Sequence, residues 1–73
     1  MARRRTERLT NQVRRLRFEH SEMTQVDLAE RVGVSRQTII AIEGGGYAPS
    51  LPLALRIARV FGVPVDDVFR LED

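Results

Sequence analysis

Cysteine is absent from this 73-residue sequence, which removes disulfides, thiolate metal sites and cysteine nucleophiles together. The single histidine, His20, leaves too few ligands for a zinc centre of the usual Cys/His kind. Lysine is missing too, so all twelve basic residues are arginine. Long hydrophobic runs are also lacking. The most apolar stretch, Leu51 to Val65, is broken by Arg56 and Arg59, so no membrane span is expected. Met1 to Arg5 opens like the n-region of a signal peptide, but no apolar h-region follows, and a cytoplasmic location is expected. No carboxylate pair sits with a histidine in a plausible cleft, and no phosphate-binding loop or nucleophile motif is present. Asp66 and Asp67 begin a short helix, where acidic residues suit the dipole. Neither catalysis, a metal nor a small-molecule cofactor is therefore expected.

What is present is a lopsided distribution of charge. Residues 1–20 hold seven arginines against Glu7 and Glu19, a local +5, whereas the whole chain carries only +2. A bias toward GC-rich arginine codons would explain the lack of lysine. It would not explain the clustering, which fits a basic arm reaching for an anionic polymer. Arg3, Arg4 and Arg5 are read as that arm, residues 1–5, and residues 6–73 as one domain. A chain this short buries only about 60% of its unfolded surface, so a single modest core is all it can hold.

Helical periodicity dominates, and no four-residue stretch alternates clearly enough to claim a strand. Leu9, Val13, Leu16 and His20 draw one stripe along a first helix from about Thr6 to Glu19. His20 ends it, as a packed ring or a partner of the helix dipole. Thr24 and Asp27 have capping-box spacing at the start of a second helix, with Met23 and Leu28 as its staple. Gly33 stops that helix, and Ser35 caps a third after a tight Gly33-Val34-Ser35 turn. Gly44, Gly45 and Gly46 end the third helix. Ser50 caps a fourth that runs to about Phe61 and shows two apolar stripes. One is Leu51, Ala54, Leu55, Ala58 and Phe61; the other is Leu53, Ile57 and Val60. Pro64 starts a short fifth helix in which Val65, Val68 and Phe69 point inward. The expected fold is all-α, five helices in one compact domain.

On the third helix, Ile39 and Ile42 lock one side into the core and leave Arg36, Gln37, Ile40 and Ala41 facing out. A helix about 10 Å wide fits the major groove of B-DNA, about 12 Å wide. Arginine and glutamine fork onto guanine and adenine edges there, and Ile40 and Ala41 suit thymine methyls. The run Thr24-Gln25-x-x-Leu28-Ala29-x-x-Val32-Gly33-Val34-Ser35-Arg36-Gln37-Thr38-Ile39-x-x-Ile42-Glu43 resembles the helix-turn-helix of the phage-repressor (Cro/C1, XRE) family. The resemblance extends from about Gln12 to Phe69 and implies a lambda-repressor-like domain with its helix-turn-helix at helices two and three.

That resemblance implies specific roles. Arg36, Gln37 and Ala41, with Thr38 and Ile40, match base-reading positions on double-stranded DNA. Gln25 would bond a phosphate and brace Gln37, and Ser35 would hold phosphate at the helix N-terminus. Gly46 and Tyr47 would present backbone amides, and the phenol, to the other strand. Arg17 and Glu43 match an internal salt bridge. The connection from Arg17 to Gln25 is one residue longer than is commonest, and Gly44 to Gly46 replace a stretch usually richer in polar side chains. The Arg3-Arg4-Arg5 arm lies in a minor groove or remains a solubilising tail. The spare stripe Leu53, Ile57, Val60 would make a homodimer on a palindromic operator, acting as a repressor. It would equally serve an antitoxin or antirepressor gripping a protein, and the controller of a restriction-modification operon stays open beside these.

Overall fold

The computed structural model describes residues 8–72. In chain order these form strand β1 (Arg8–Asn11), helices α1 (Val13–Glu19), α2 (Gln25–Val32), α3 (Arg36–Glu43) and α4 (Leu51–Phe61), a 3-10 turn (Val65–Asp67) and strand β2 (Phe69–Glu72). The described residues are thus mostly helical, with four α-helices and a small sheet rather than five helices.

The first helix begins well after Thr6. Arg8–Asn11 is extended and pairs antiparallel with β2, Arg8 opposite Glu72 and Asn11 opposite Phe69. Asn11 makes the switch from strand to helix: its Oδ1 accepts from the Val13 N–H at 3.1 Å, and its Nδ2 donates to the Ile42 carbonyl at 2.9 Å. Leu9 therefore leaves the helical stripe and stands half-exposed in the sheet, while Val13 and Leu16 are buried as expected. At the other end of α1, His20 packs its ring against Phe61 at 5.1 Å between centroids. Its nitrogens lie 2.8 Å from the Leu16 carbonyl and 3.1 Å from that of Phe61, which ties the ends of α1 and α4 together.

The next three helices start and stop on the residues that chemistry nominates. Thr24 and Asp27 form the reciprocal capping box of α2, and Gly33 takes the left-handed conformation (φ 77°) that ends it. The Ser35 hydroxyl accepts from Thr38 N–H to cap α3, and the Ser50 hydroxyl accepts from Leu53 N–H to cap α4. Leu28, Ala29 and Val32 of α2, Ile39 and Ile42 of α3, and Val13 and Leu16 of α1 meet around α4 in one core.

The division of α4 into two stripes does not survive. Its buried arc is Leu53, Ala54, Ile57, Ala58 and Phe61, one continuous face at the helical period. Leu53 is 4% and Ile57 0% exposed, and Val60 packs partly against the same core. Of the three residues assigned to a dimer interface, Leu53 and Ile57 thus belong to the interior and Val60 is half-buried against it. The α4 apolar residues left outside are Leu51 and Leu55. After Pro64 the expected fifth helix is only the three-residue 3-10 turn. Val68 is fully buried and Val65 half-buried as expected, but Phe69 already begins β2.

Candidate nucleic-acid interface

The presentation of α3 follows from its packing on α2 and the core. Ile39 and Ile42 are buried to within 1% of full, and Val34 packs against the same core, so the helix cannot roll. Arg36, Gln37 and Ile40 are consequently held on the exposed side, with Thr38 and Ala41 half-exposed at its margins. Eight residues make a rod about 12 Å long, the size of a reading element. Ser35 is exposed at its N-terminus, and its hydroxyl lies 3.1 Å from that of Thr38. Thr38 therefore shares its hydroxyl with the cap.

The orientation of α3 is also fixed by an ion pair at its last residue. Arg17 Nε donates to Glu43 Oε2 at 2.6 Å and Arg17 Nη2 to Oε1 at 3.0 Å, a two-pronged bridge between α1 and α3. Both side chains are only 9% exposed. The remaining polar atoms are satisfied. Arg17 Nη1 donates to the Met23 carbonyl at 2.8 Å, and Gln25 Nε2 donates to Glu43 Oε1 at 3.2 Å. The long connection between α1 and α2 makes this possible. Ser21 and Glu22 both adopt left-handed backbone (φ 59° and 55°), and the chain doubles back so that Met23 N–H reaches the Arg17 carbonyl at 2.9 Å. The extra residue is absorbed there without disturbing the pair.

Two expected contacts are rearranged. Gln25 turns its amide nitrogen to Glu43 instead of bracing Gln37, because a bond to a buried carboxylate outweighs one between neutral amides. The Gly46 N–H donates to the Ala41 carbonyl at 3.1 Å, closing the end of α3. Gly44 and Gly45 likewise donate to the carbonyls of Ile40 and Ile42, so the glycine run spends its amides on the helix terminus. Tyr47 is exposed in that loop, its side chain about half accessible. Arg3, Arg4 and Arg5 lie outside the described residues.

A capped α2, a left-handed turn at Gly33 and a capped, outward-facing α3 together are a helix-turn-helix. A helix-turn-helix family model matches residues 14–68. The chain belongs to that family, in its Cro/C1 (XRE) branch. Relatives of this helix-turn-helix protein bear names of the same kind. An HTH-type transcriptional regulator of Methanocaldococcus jannaschii is 54% identical over 65 residues, covering 89% of this chain and 97% of the relative. One of Bacillus subtilis is 48% identical with the same coverage. The CTXphi phage repressor RstR of Vibrio cholerae is 30% identical over 81% of this chain, which spans 52% of RstR. The solved structure of a Bacteroides fragilis protein shares the fold, with a TM-score of 0.75 at 24% identity over 85% of this chain and 98% of that one. This protein is thus a DNA-binding, helix-turn-helix transcriptional regulator.

Two side chains of this surface escaped the sequence reading. Asn11 secures the last turn of α3 from the sheet side, and its only sequence signal is the Asx position two residues ahead of a helix. Arg14 lies with its guanidinium 5.6 Å from the Phe18 ring, in a groove shared with Thr24, Gln25 and Glu43. The i, i+4 spacing of Arg14 and Phe18 was the available clue.

Proposed function

We propose that this regulator is a repressor that binds a two-fold operator as a homodimer, one α3 in each of two successive major grooves. The outward placement of Arg36 and Gln37 opposite the buried Ile39 and Ile42 carries this reading. Arg36 and Gln37 read base edges, Ile40 and Ala41 pack on thymine methyls, and Thr38 lies at the margin of the same contact. The Arg36 and Gln37 N–H groups, at the first turn above Ser35, together with Gln25 and Arg14, grip the phosphates flanking the groove. Tyr47 reaches the opposite strand. Arg3, Arg4 and Arg5 add affinity without sequence preference. Repression needs only occupancy of a promoter, and the name of the RstR relative, a transcriptional repressor, supports it.

Selection of bound sites from a random DNA pool tests this directly. The expected consensus is palindromic, with half-site centres one helical turn, about 34 Å, apart. A single asymmetric half-site would contradict the dimer, and no enriched sequence at all would contradict base reading by α3.

A further inference from the structure

The sheet has an apolar face that the described residues leave uncovered. Leu9 and Leu71 stand directly opposite each other, on the side of the sheet shared by Asn11 and Phe69. Asn11 and Phe69 are half-buried against the helices, but the strands run on past that support. Leu9 is 37% exposed and Leu71 65%. A two-stranded sheet is marginal by itself in water, and an open strand edge is a template for another strand. Among the described residues nothing pairs with the outer edge of β2.

The phase of the ladder shows which groups that edge presents. Gln12 N–H donates to the Val68 carbonyl at 2.8 Å, in the same register that sets Thr10 opposite Arg70 and Leu9 opposite Leu71. Hydrogen-bonded pairs alternate along an antiparallel ladder, so Val68, Arg70 and Glu72 direct their backbone groups at β1. Leu71 directs its N–H and C=O outward.

We propose that the outer edge of β2 is the dimer interface, taken up by β2 of a second copy of this chain with the two-fold axis at Leu71. The proposal deepens the homodimer reading above and rests on it. The edge is complementary to itself. Antiparallel pairing about Leu71 sets Leu71 against Leu71 of the second copy as a hydrogen-bonded pair, and Arg70 against Glu72 of the second copy twice over. Across the resulting four strands, Leu9, Leu71 and their two symmetry mates form one apolar row. In the adjacent rows Arg8 and Glu72 meet Arg70 and Thr10 of the second copy, so the charges alternate in sign from strand to strand. The outer edge of β1 lacks this property, since Arg8 is the only charge among its residues Arg8–Asn11. The pairing also fixes the reading helices, because Asn11 ties β1 to the Ile42 carbonyl in the last turn of α3. Four residues per strand make a small interface, so the contact is weak in free protein and completed when operator DNA holds two copies side by side.

The chain contains no cysteine, so one introduced thiol reports one position. Leu71→Cys treated with a short bis-maleimide should give a covalent dimer at high protein concentration, and faster on DNA carrying a selected site. Leu55→Cys, on the exposed apolar side of α4, should not. Carried on Leu71→Cys, Arg70→Glu and Glu72→Arg each set like charges opposite one another. Each should lower the cross-linking rate about tenfold. An equimolar mixture of those two variants restores both opposite-charge pairs between the copies and should recover the rate as a heterodimer. That recovery separates a lost interface from a misfolded chain. If Leu55→Cys cross-links faster than Leu71→Cys while the selected sites are palindromic, the homodimer stands and this interface is wrong. If the mixture fails to recover, the charge pairing is wrong. Asymmetric selected sites with no cross-linking at either position would remove both the interface and the dimer.

Discussion

Arg17 and Glu43 hold α1 and α3 together through two charge-assisted bonds, with the Met23 carbonyl and the Gln25 amide completing the shell. A buried ion pair gains little over a well-packed apolar pair, but removing one partner strands the other charge. Glu43→Ala should therefore cost about 3–5 kcal/mol, read from urea or thermal unfolding. A melting temperature within a degree or two of the parent would mean that the pair is not what locks α3. Asn11→Ala leaves the Ile42 carbonyl and the Val13 N–H without their side-chain partner. A loss of about 1–3 kcal/mol is expected, from groups that are partly rather than fully buried. Ser21 makes the opposite case. At φ 59° it occupies a conformation that costs an ordinary residue roughly 1–2 kcal/mol, so Ser21→Gly should stabilise the domain slightly despite the entropy glycine adds.

At the scale of elements, legibility in the sequence followed how local the determining interactions are. The starts of α2, α3 and α4 and the end of α2 rest on Thr24, Ser35, Ser50 and Gly33, each acting within four residues of itself, and the sequence showed them. The two strands depend on partners some sixty residues apart and are four residues long, too short for a two-residue period to stand out. Phe69-Arg70-Leu71-Glu72 does alternate, a signal hidden by the helix expected after Pro64. Leu9 misled for a different reason: its spacing of four from Val13 continues the α1 stripe by coincidence, across the break that Asn11 makes. On α4 the apolar residues were all recognised but split into two faces. The buried arc takes Ala54, Ala58 and Phe61 from one and Leu53 and Ile57 from the other, and leaves Leu51 and Leu55 outside. Of the reading surface, the exposed face of α3 and the Arg17–Glu43 pair were legible. The turn of Gln25 toward Glu43 and the use of the Gly46 amide at the helix end depend on three-dimensional competition for partners. Gly33→Ala probes the turn itself. A Cβ there meets nothing within 4 Å, so the cost is only the left-handed backbone, about 1–2 kcal/mol, seen as a lower melting temperature with the fold retained.

In the proposed complex, sequence reading falls to α3 and affinity without sequence preference to the arginine-rich N-terminal region. Deleting residues 1–5 should weaken binding to matched and scrambled DNA nearly equally and flatten the salt dependence by roughly 0.9 per lost phosphate contact. If the deletion changes which base is preferred, the arm is reading a minor groove. The central claim is that α3 reads sequence, and Gln37→Ala tests it most directly. Gln37 is exposed and outside the core, so the variant should fold as the parent does. Its affinity should be measured on a selected site and on a scrambled one at the same salt concentration. A loss of about 1–3 kcal/mol on the selected site, with little change on the scrambled one and relaxed preference at one or two base pairs, is the expected result. An equal loss on both would contradict the account, because Gln37 would then be holding the DNA backbone rather than reading its bases.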